Sequence, residues 1–494
     1  MQAIILAAGF GSRLAPMTLH KPKPLLEIRG KSILENMIST LKMSGVKDII
    51  VVTGYKHWLF DSLAKSLCFE KIVFENYANC NSSQSLLYVQ DRIQKGTIIL
   101  NGDLYIENDF CKFFKSGVSQ FLAQKIPSNT SAWGYIIDEN YRILDIDINA
   151  TSGYGDGIAY FDNEKEIIIF KEQLAQCKHD EYWEYAVLKS LDSIQYYAFY
   201  YNNLYTEIDS FADALRHRLL TPEEIAMQCA DDKRAIRLAG ITNINYLINF
   251  QGEQKVIRIP GNGTENVIDR KGEQDIINLV QDLGITPKSE FYGSGIKMSD
   301  FLSDYKSLEK SQIAEEILEK IADSLLKLHS IKHTSHKNYK TIKLYDEIIK
   351  YENLAKISLA TPKEHKYVIE VAKKLDSDTD MVLCHRDLQL PNILFNGSAI
   401  QLVDFEYAGF SCIEWEFGNM AAELELSTEQ IEYLIGYYNQ HSAKHISFQG
   451  VIEGSLMANY IWALWGWIYG RIDLGREYLF RFQDNLLTLH NPEL

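Results

Sequence analysis

Two groups of residues far apart in the chain have the types and spacing that phosphate chemistry needs. The first is a glycine-rich turn that directly follows an apolar run at residues 3–7 and is followed by two cations. Its members are Ala8, Gly9, Gly11, Arg13 and Lys23. Such a turn can bring backbone N–H groups against phosphate oxygens, and nearby cations can balance the phosphate charge. Taken alone, the same residues are also compatible with a tight turn that simply requires glycine.

The second group lies in the last third of the chain. Asp387 and Asn392 belong to a His-Arg-Asp-Leu-Gln-Leu-Pro-Asn run, and Asp404 and Glu406 follow in Val-Asp-Phe-Glu. The pattern H-x-D-x-x-x-x-N plus D-x-E resembles the aminoglycoside and choline kinase superfamily, which is related to protein kinases. In phosphoryl transfer an Asp orients the attacking hydroxyl, while an Asn and a further Asp hold Mg²⁺ on the ATP phosphates. The resemblance implies that Asp387 is the base, Asn392 and Asp404 are metal ligands, and Glu406 is a ligand of a second metal ion.

In the part of the sequence that must position the first group, short apolar runs alternate with amphipathic stretches. Strands are predicted at residues 3–7, 48–52, 72–74, 97–100, 133–137, 157–161 and 195–200. A helical pattern at residues 32–44 separates the first two of these strands. Such alternation predicts βαβ units in a doubly wound sheet, which the later strands make mixed. We therefore expect a Rossmann-like α/β fold for this part.

The second group needs a different frame, which begins after a charged helical stretch at residues 222–233. Strands are predicted at residues 236–238, 245–250 and 255–259, a helix near Glu273, and a loop and hairpin at residues 385–406. Most of the chain after residue 313 has helical periodicity. A small sheet followed by a large helical lobe is the outline of an α+β, two-lobed, protein-kinase-like phosphotransferase. We predict two domains, residues 1–220 and 221–494.

The composition limits what the chain can bind. A chain of 494 residues is longer than a single core supports, which agrees with two domains. The net charge of −16 argues against nucleic acid and against an anionic membrane, so small-molecule substrates are the expected partners. A nucleotide site must overcome this field locally, and dependence on Mg²⁺ is therefore expected. The oligomeric state stays open, since the sequence is compatible with an oligomer.

Several features favour a cytoplasmic protein without membrane insertion. The seven cysteines are scattered, odd in number and free of any C-x-x-C pair, which is typical of free thiols in a reducing compartment. The N-terminus has neither the basic region nor the long apolar region of a signal peptide. The apolar segment at residues 461–469 is too short to span a bilayer.

The glycine-rich turn continues into A-A-G-x-G-x-R-L-x-P-x-T-x-x-x-P-K-P-L-L, which resembles the nucleotidyltransferase family that makes nucleotide-sugars and CDP-alcohols. By that resemblance, Arg13 meets the departing β,γ-phosphates and Lys23 meets the α-phosphate or the incoming phosphate. Asp103 ends a strand, where such folds place a metal ligand, although a simple turn Asp is the alternative. The second carboxylate is expected at Asp209, which matches the family pattern, with Glu207 as its competitor.

The run from Tyr77 to Leu86 resembles a stretch of the choline-phosphate cytidylyltransferase branch of this family, and two tryptophans point to the same branch. In this run, Asn81 and Ser85 are expected on the base side of CTP, although Ser82 replaces an Asn of the pattern. The two tryptophans are Trp133 and Trp183, near acids. Aromatic faces near acids suit a trimethylammonium group. The alternative is that both tryptophans are core residues.

The kinase resemblance extends upstream of the catalytic run. Thr242 and Asn243 lie in a turn between two strands, where a loop covering the ATP phosphates is expected. Arg258 stands where protein kinases carry the strand lysine, as it does in choline kinases, and Glu273 is its expected partner. We expect all four residues to bind the nucleotide or to position those that do.

Three aromatic residues are expected to bind the alcohol that accepts the phosphate. Tyr407 follows the D-x-E motif, and Trp462 and Trp465 lie in a run that resembles the W-x-L-W helix of the choline pocket. Their spacing puts both tryptophans on one helix face. A plain core role is the alternative. The resemblance is imperfect at Glu416, where the family usually has Asp.

Together these motifs predict a bifunctional enzyme that makes CDP-choline. The C-terminal part would convert choline and ATP to phosphocholine, and the N-terminal part would join phosphocholine to CTP and release pyrophosphate. The pairing resembles the enzymes of bacterial phosphocholine decoration of surface glycans or lipids. The alternatives are the same steps on ethanolamine, or a sugar-1-phosphate nucleotidyltransferase fused to a small-molecule kinase. A binding protein with degenerate sites is disfavoured because every expected catalytic residue is present.

Overall fold

We describe a computed structural model of the chain, which covers residues 1–126, 132–240, 242–261, 263, 267–333, 339–377 and 381–490. The chain forms two compact units. The N-terminal unit consists of Met1–Ala239, Tyr246–Glu253 and Tyr292–Ile296, and the C-terminal unit of Gly240–Asn245, Gln254–Phe291 and Lys297–Leu494. The domain boundary after residue 220 stays a prediction.

The N-terminal unit is built from a large sheet flanked by short helices. Its strands are Gln2–Ala7 (β1), Glu27–Ile28 (β2), Lys31–Ser32 (β3), Asp48–Thr53 (β4), Glu70–Val73 (β5), Thr97–Asn101 (β6), Leu104–Ile106 (β7), Gln120–Lys125 (β8), Ala132–Ile137 (β9), Ile143–Ala150 (β10), Tyr154–Phe161 (β11), Tyr197–Tyr200 (β12) and Tyr205–Glu207 (β13). Its helices are Met17–His20 (α1), Ile33–Met43 (α2), Asp61–Leu67 (α3), Ser82–Tyr88 (α4), Glu164–Leu174 (α5), Glu184–Ser190 (α6), Phe211–Arg216 (α7) and Pro222–Cys229 (α8).

The position of β1 in the sheet explains why its apolar run is not interrupted by polar residues at every second position. The main path of the sheet has the order β10-β9-β11-β6-β1-β4-β5, and β8 and β12 are attached through β11. Strand β1 lies between β4 and β6, parallel to both, and all of its residues are buried. A strand covered on both faces reads as a continuous apolar run. Strand β11 runs antiparallel to β6, β8 and β9, so the predicted mixed α/β sheet is confirmed.

The strands and helices that follow residue 235 form smaller sheets and then a mainly helical region. The strands are Ile236–Leu238 (β14), Asn243–Phe250 (β15), Glu253–Pro260 (β16), Ser289–Phe291 (β17), Lys297–Asp300 (β18), Lys306–Ser307 (β19), Val382–Cys384 (β20), Ile393–Phe395 (β21), Ile400–Leu402 (β22) and Gly409–Ser411 (β23). The helices are Arg270–Val280 (α9), Glu315–His329 (α10), Leu344–Ala355 (α11), Pro362–Leu375 (α12), Ile413–Leu424 (α13), Thr428–His441 (α14), Phe448–Ile468 (α15) and Ile472–His490 (α16).

The predicted α+β outline of this part is confirmed. Strands β14-β15-β16-β18-β17 form one sheet, and β21 and β22 form the predicted hairpin. Helix α15 is buried along most of its length and packs against α13 and α16. The backbones of α13 and α15 approach so closely that a Cβ at Gly454 would lie 1.8 Å from the carbonyl oxygen of Glu414. Glycine at this crossing therefore lets α13 lie close against α15, which carries the predicted site residues Trp462 and Trp465.

Two expectations from composition concern the whole chain. Among the described residues, no helix combines the length and the apolar character that crossing a bilayer requires. All seven cysteines are free thiols, and five of them are buried.

Candidate active sites

The glycine-rich turn after β1 has the conformation that its sequence predicts. Gly11 has a φ of +65°, and a Cβ there would lie 2.9 Å from the Cβ of Lys23. The hydroxyl of Thr18 donates to the carbonyl oxygen of Gly11 at 3.0 Å and closes the turn. Only glycine avoids both the strained φ and the steric overlap, and this lets Lys23 lie against the turn.

The turn borders a cavity of about 1200 Å³ at the carboxyl ends of β1 and β6. This is the edge where open α/β sheets bind their ligands. The cavity is lined by nine of the predicted N-terminal site residues, namely Ala8, Gly9, Gly11, Arg13, Lys23, Asn81, Ser85, Asp103 and Asp209, and also by Trp133. Residues that lie up to two hundred positions apart in the sequence thus surround one space.

Lys23 lies between the two predicted metal ligands. Its Nζ is 2.9 Å from Asp103 Oδ2 and 2.9 Å from Asp209 Oδ1, and Arg13 Nη1 is 2.8 Å from the other oxygen of Asp209. Burial opposes the charged lysine, but the two carboxylates outweigh it and raise the pKa of Lys23. Burial likewise opposes the charged form of Asp209, yet Lys23 and Arg13 lower the pKa of this carboxyl. Lys23 and Asp209 therefore both stay ionised at neutral pH.

A third carboxylate joins this pair. Oxygens of Asp103, Glu207 and Asp209 lie within 4.8 Å of one another. Strand β13 pairs with β7, and the N–H of Ile208 donates to the carbonyl oxygen of Asp103 at 3.2 Å, which brings the three acids together. Asp103 Oδ1 is buried and has no hydrogen-bond partner among the described residues. Hard oxygen ligands with an unsatisfied oxygen fit Mg²⁺, and Glu207, which the sequence offered as the competitor of Asp209, lies beside it.

Asn81 and Ser85 lie at the start of α4 on the cavity wall. Asn81 Oδ1 accepts the N–H of Ser82 at 3.0 Å, and Ser85 Oγ donates to the carbonyl oxygen of Ser82 at 2.9 Å. Asn81 thus caps the helix, and its backbone N–H donates to His179 at 2.7 Å. Both side chains are held in place while they face the cavity.

The two tryptophans of this unit have different surroundings. Trp133 lines the cavity, and its ring contacts the rings of Tyr182 and Tyr185, with centroids 6.3 and 4.8 Å away. Trp183 is only 1% exposed and stacks on Phe121 in the core, so the structure does not bring it to the cavity wall. Its indole N–H instead donates to Asn101 Oδ1 at 3.3 Å.

Two residues on the cavity wall, Tyr182 and Glu184, were missed by the sequence-based prediction. They flank Trp183, so the signal was present in the Glu-Tyr-Trp-Glu run. Trp133, Tyr182 and Glu184 put two aromatic rings and an acid on the same wall.

In the C-terminal unit, the catalytic run forms a compact buried loop. Asn392 Nδ2 donates to Asp387 Oδ2 at 2.9 Å, and the side-chain amide of Gln389 donates to both carboxylate oxygens at 3.1 and 3.2 Å. Burial raises the pKa of Asp387 well above its ordinary value, and the negative charges of Glu423 and Asp404 act in the same direction. An Asp with a raised pKa and oriented oxygens is suited to accept a proton.

The backbone of this loop is held by helix α13. Glu416, which is fully buried, accepts the N–H groups of His385 at 2.8 Å and Arg386 at 2.9 Å, and Asn419 Oδ1 accepts the N–H of Leu388 at 2.9 Å. Burial raises the pKa of Glu416 to about 7, although the two backbone donors oppose the shift. The longer side chain at the position where Asp is usual therefore does reach the loop.

The predicted metal ligands of the D-x-E motif have distinct partners. Glu406 is 2% exposed and accepts from Thr242 Oγ1 at 2.8 Å, Asn243 Nδ2 at 2.7 Å and Arg270 Nη1 at 3.0 Å. Burial and the charge of Glu406 raise the pKa of Asp404 to about 7. The turn predicted to cover phosphates thus contacts the expected second-metal ligand, while its member Ile241 lies outside the described residues. Arg270 was missed because a surface-like Arg-Lys pair at a helix start carries no signal of its own.

Arg258 and Glu273 form the predicted ion pair. Lys297 Nζ lies 2.9 Å from the same carboxylate, and Arg258 Nη1 lies 3.9 Å from Asp404 Oδ1. Burial opposes ionisation of Glu273, but Lys297 and Arg258 lower the pKa of this carboxyl. Lys297 is a second residue that was missed, since its position depends on strand register.

The three predicted acceptor-site aromatics contact one another. The rings of Tyr407 and Trp462 have centroids 5.0 Å apart, and the indole N–H of Trp465 donates to the Tyr407 hydroxyl at 2.9 Å. Trp415 joins them, 6.1 Å from Trp462. The side chains are between 0 and 8% exposed. They form a buried aromatic group that includes Tyr407, the residue directly after the D-x-E motif.

Comparisons with known proteins agree with both sets of motifs. Residues 2–146 match the family described as Nucleotidyl transferase, and residues 236–448 match the family described as Choline/ethanolamine kinase. A choline-phosphate cytidylyltransferase from Streptococcus pneumoniae is 30% identical over 222 residues, which cover 43% of this chain and 95% of that protein. A 2-aminoethylphosphonate cytidylyltransferase from Lancefieldella rimae is 30% identical over 192 residues, 37% of this chain and 73% of that protein.

Among solved structures, choline kinase LicA from Streptococcus pneumoniae is 24% identical and has a TM-score of 0.45, with 52% of this chain and 93% of that chain covered. The relative that is 30% identical over 95% of its length shows that the chain belongs to the nucleotidyltransferase family through its N-terminal part, and its C-terminal part carries a choline/ethanolamine kinase domain.

Proposed function

We propose that this chain makes CDP-choline in two steps. In the C-terminal unit the hydroxyl oxygen of choline bonds to the γ-phosphorus of ATP, the bond to the β-phosphate oxygen breaks, and ADP leaves. In the N-terminal unit a phosphate oxygen of phosphocholine bonds to the α-phosphorus of CTP, and pyrophosphate leaves. The product would supply phosphocholine to surface glycans or lipids, and both steps would take place in the cytoplasm.

In the first step, Asp387 accepts the proton of the choline hydroxyl, and Asn392 holds one of its oxygens in place. Asn392, Asp404 and Glu406 are the residues that would hold Mg²⁺, which offsets the charge of the ATP phosphates when bound. Arg258 neutralises phosphate charge from the strand side. Tyr407 and Trp462 support choline as the acceptor, because their faces suit a quaternary ammonium that donates no hydrogen bonds.

In the second step, Lys23 and Arg13 oppose the charge that collects between the attacking phosphate and the leaving pyrophosphate. Asp103, Asp209 and Glu207 would hold the metal ion on the triphosphate. The observation that carries the proposal is the cavity itself, in which Lys23 lies between two carboxylates and Trp133 lines the same space. One cavity thus offers a site for phosphoryl chemistry and an aromatic face for a cationic head group.

A relative that acts on 2-aminoethylphosphonate raises a second candidate substrate class for the N-terminal unit. A phosphonate already carries its phosphorus on carbon and needs no kinase. A kinase unit in the same chain makes a phosphate ester from an alcohol, and this favours phosphocholine or phosphoethanolamine. The aromatic faces in both units favour choline over ethanolamine, because a primary ammonium needs three acceptors.

The test is to supply the full chain with choline, ATP, CTP and Mg²⁺ and to follow products by mass spectrometry. We expect CDP-choline from the unaltered protein. Asp387→Asn should leave choline unchanged, and Asp103→Asn should stop at phosphocholine. CDP-choline from either variant would contradict the assigned roles. A clear preference for ethanolamine, aminoethylphosphonate or hexose phosphates in parallel reactions would overturn the choline assignment.

A further inference from the structure

Lys297 lies directly across from Arg258 in the sheet of the C-terminal unit. In the antiparallel pairing of β16 with β18, the Cα atom of Arg258 is the partner of that of Lys297. Side chains of directly opposed residues extend from the same face of the sheet. The register therefore puts two cations side by side, one on the strand that carries the kinase cation and one on its neighbour.

Both cations bind one oxygen of one carboxylate. Arg258 Nη1 and Lys297 Nζ each contact Glu273 Oε1, at 2.5 and 2.9 Å. The side chains of Arg258 and Lys297 are only 4% and 9% exposed, and that of Glu273 is fully buried. Withdrawing a cation from water is unfavourable unless it is paired, and the single negative charge of one carboxylate can balance only one of the two cations.

The surplus positive charge faces the residues expected to hold the nucleotide phosphates. Arg258 Nη1 is 3.9 Å from Asp404 Oδ1, and Asp404 is the expected ligand of the metal ion that bridges those phosphates. With Asp404 bound to a metal ion, Glu273 would be left to balance Arg258 and Lys297 as well as Arg270, whose Nη1 lies 3.4 Å from its other oxygen. Two buried cations beside one carboxylate then form a site that an anionic ligand completes.

We propose that Lys297 is a second phosphate-binding cation of the kinase unit, which contacts the α- and β-phosphate oxygens of a nucleoside di- or triphosphate together with Arg258. The fold thereby supplies from β18 the ammonium group that protein kinases carry on the strand corresponding to β16. The inference rests on the proposed kinase function. If Lys297 were only a structural partner of Glu273, its loss would affect the binding of ADP and of adenosine, which has no phosphate, to the same extent. A comparison of the two ligands therefore separates the structural role from the phosphate-binding role.

The experiment uses the full chain with Lys297→Met and Lys297→Arg, and Lys255→Met as the matched control. Lys255 lies on the same strand pair, opposite Asp300, and its Nζ is 2.6 Å from that carboxylate. Binding of ADP and of adenosine is measured by calorimetry in Mg²⁺, together with the KM for ATP. Pyrophosphate release from CTP and phosphocholine is the internal control for the folded chain.

We expect Lys297→Met to weaken ADP binding and raise the KM for ATP by roughly 10- to 100-fold, the range for one hydrogen bond to a charged group. Adenosine binding and pyrophosphate release should not change, Lys297→Arg should keep most of the affinity for ADP, and Lys255→Met should resemble the unaltered protein. Unchanged ADP binding in Lys297→Met, or equal losses of affinity for ADP and for adenosine, would overturn this inference and leave the kinase proposal standing. If the unaltered protein neither binds ADP nor phosphorylates an alcohol, the kinase proposal fails and this inference fails with it.

Discussion

Removal of the Glu416 side chain should disable the kinase step and leave cytidylyl transfer intact. This carboxylate is fully buried and accepts two backbone N–H groups, from His385 at 2.8 Å and from Arg386 at 2.9 Å. The second of these residues directly precedes Asp387, the expected base. The carboxylate of Glu416 therefore fixes the backbone from which the base projects.

The size of the effect follows from the donors that the substitution leaves behind. A buried N–H group without a partner costs about 1–3 kcal/mol, so Glu416→Ala costs about 2–6 kcal/mol in all. If misalignment of Asp387 raises the activation free energy of the kinase step by about 2 kcal/mol, kcat falls about 30-fold. Glu416→Gln keeps one acceptor oxygen and should lose about half as much free energy. In Glu416→Asp the side chain is shorter by one methylene and does not reach either donor fully. Its loss of free energy should lie between those of Glu416→Gln and Glu416→Ala.

Initial rates of ADP formation from ATP and choline measure the loss, and pyrophosphate release from CTP and phosphocholine reports on the rest of the chain. Glu425→Gln is the matched control, since Glu425 follows the same helix but forms exposed ion pairs with Lys310 and Arg481. Such pairs contribute roughly 0–1 kcal/mol. Full kinase activity in Glu416→Ala would refute the conclusion that this carboxylate holds the loop.

The same carboxyl predicts a pH effect on stability. Burial raises its pKa from the ordinary 4.5 to about 7, so between these values the native state holds a proton that the unfolded chain has released. Stability that is present at low pH is therefore lost as the pH rises through about 7. The difference in unfolding free energy between the unaltered protein and Glu416→Gln, measured by urea unfolding from pH 5 to 8, should show this trend. A difference that does not vary with pH would contradict the raised pKa.

Three further substitutions test the other contacts. Lys23→Met removes the cation between two carboxylates and should lower the rate of pyrophosphate release by at least about 100-fold, as expected for lost electrostatic stabilisation, with ADP formation unchanged. Glu423→Gln removes a negative charge that raises the pKa of Asp387, so the acid limb of the kcat–pH profile for the kinase step should move to lower pH. Trp133→Ala should raise the KM for phosphocholine roughly 2- to 30-fold, the range for one cation–π contact, without changing that for CTP.

The fold and most of the charged residues of both sites could be predicted because their signals are local. A buried strand followed by glycine and a cation is visible in a single stretch, and so is an Asp five residues before an Asn. Element bounds were less accurate where packing decides them. The strand predicted at residues 157–161 is Tyr154–Phe161, because pairing with β8 continues past a register shift.

The residues that were missed depend on which way a side chain faces. Tyr182 and Trp183 are adjacent and both aromatic, and only the packing of Trp183 on Phe121 decides that Tyr182 reaches the cavity. Lys297 acquires its neighbour from strand register, which a single sequence does not specify for a short strand. Arg270 was missed because an Arg-Lys pair at a helix start carries no signal of its own and its partner Glu406 is more than a hundred residues away.

Both sites hold their charges in internal ion pairs, and this has a consequence for binding. In the N-terminal unit Lys23 occupies the space between two carboxylates, and in the C-terminal unit Arg270 binds Glu406 while Arg258 lies near Asp404. With a metal ion on these carboxylates the cations would be available for phosphate, and with a phosphate on the cations the carboxylates would be available for a metal ion. We therefore expect Mg²⁺ and nucleotide to strengthen each other's binding, by the same factor in both directions, since linkage is reciprocal. Equal nucleotide affinity with and without Mg²⁺ at one of the sites would show that its ion pairs do not open when the ligands bind.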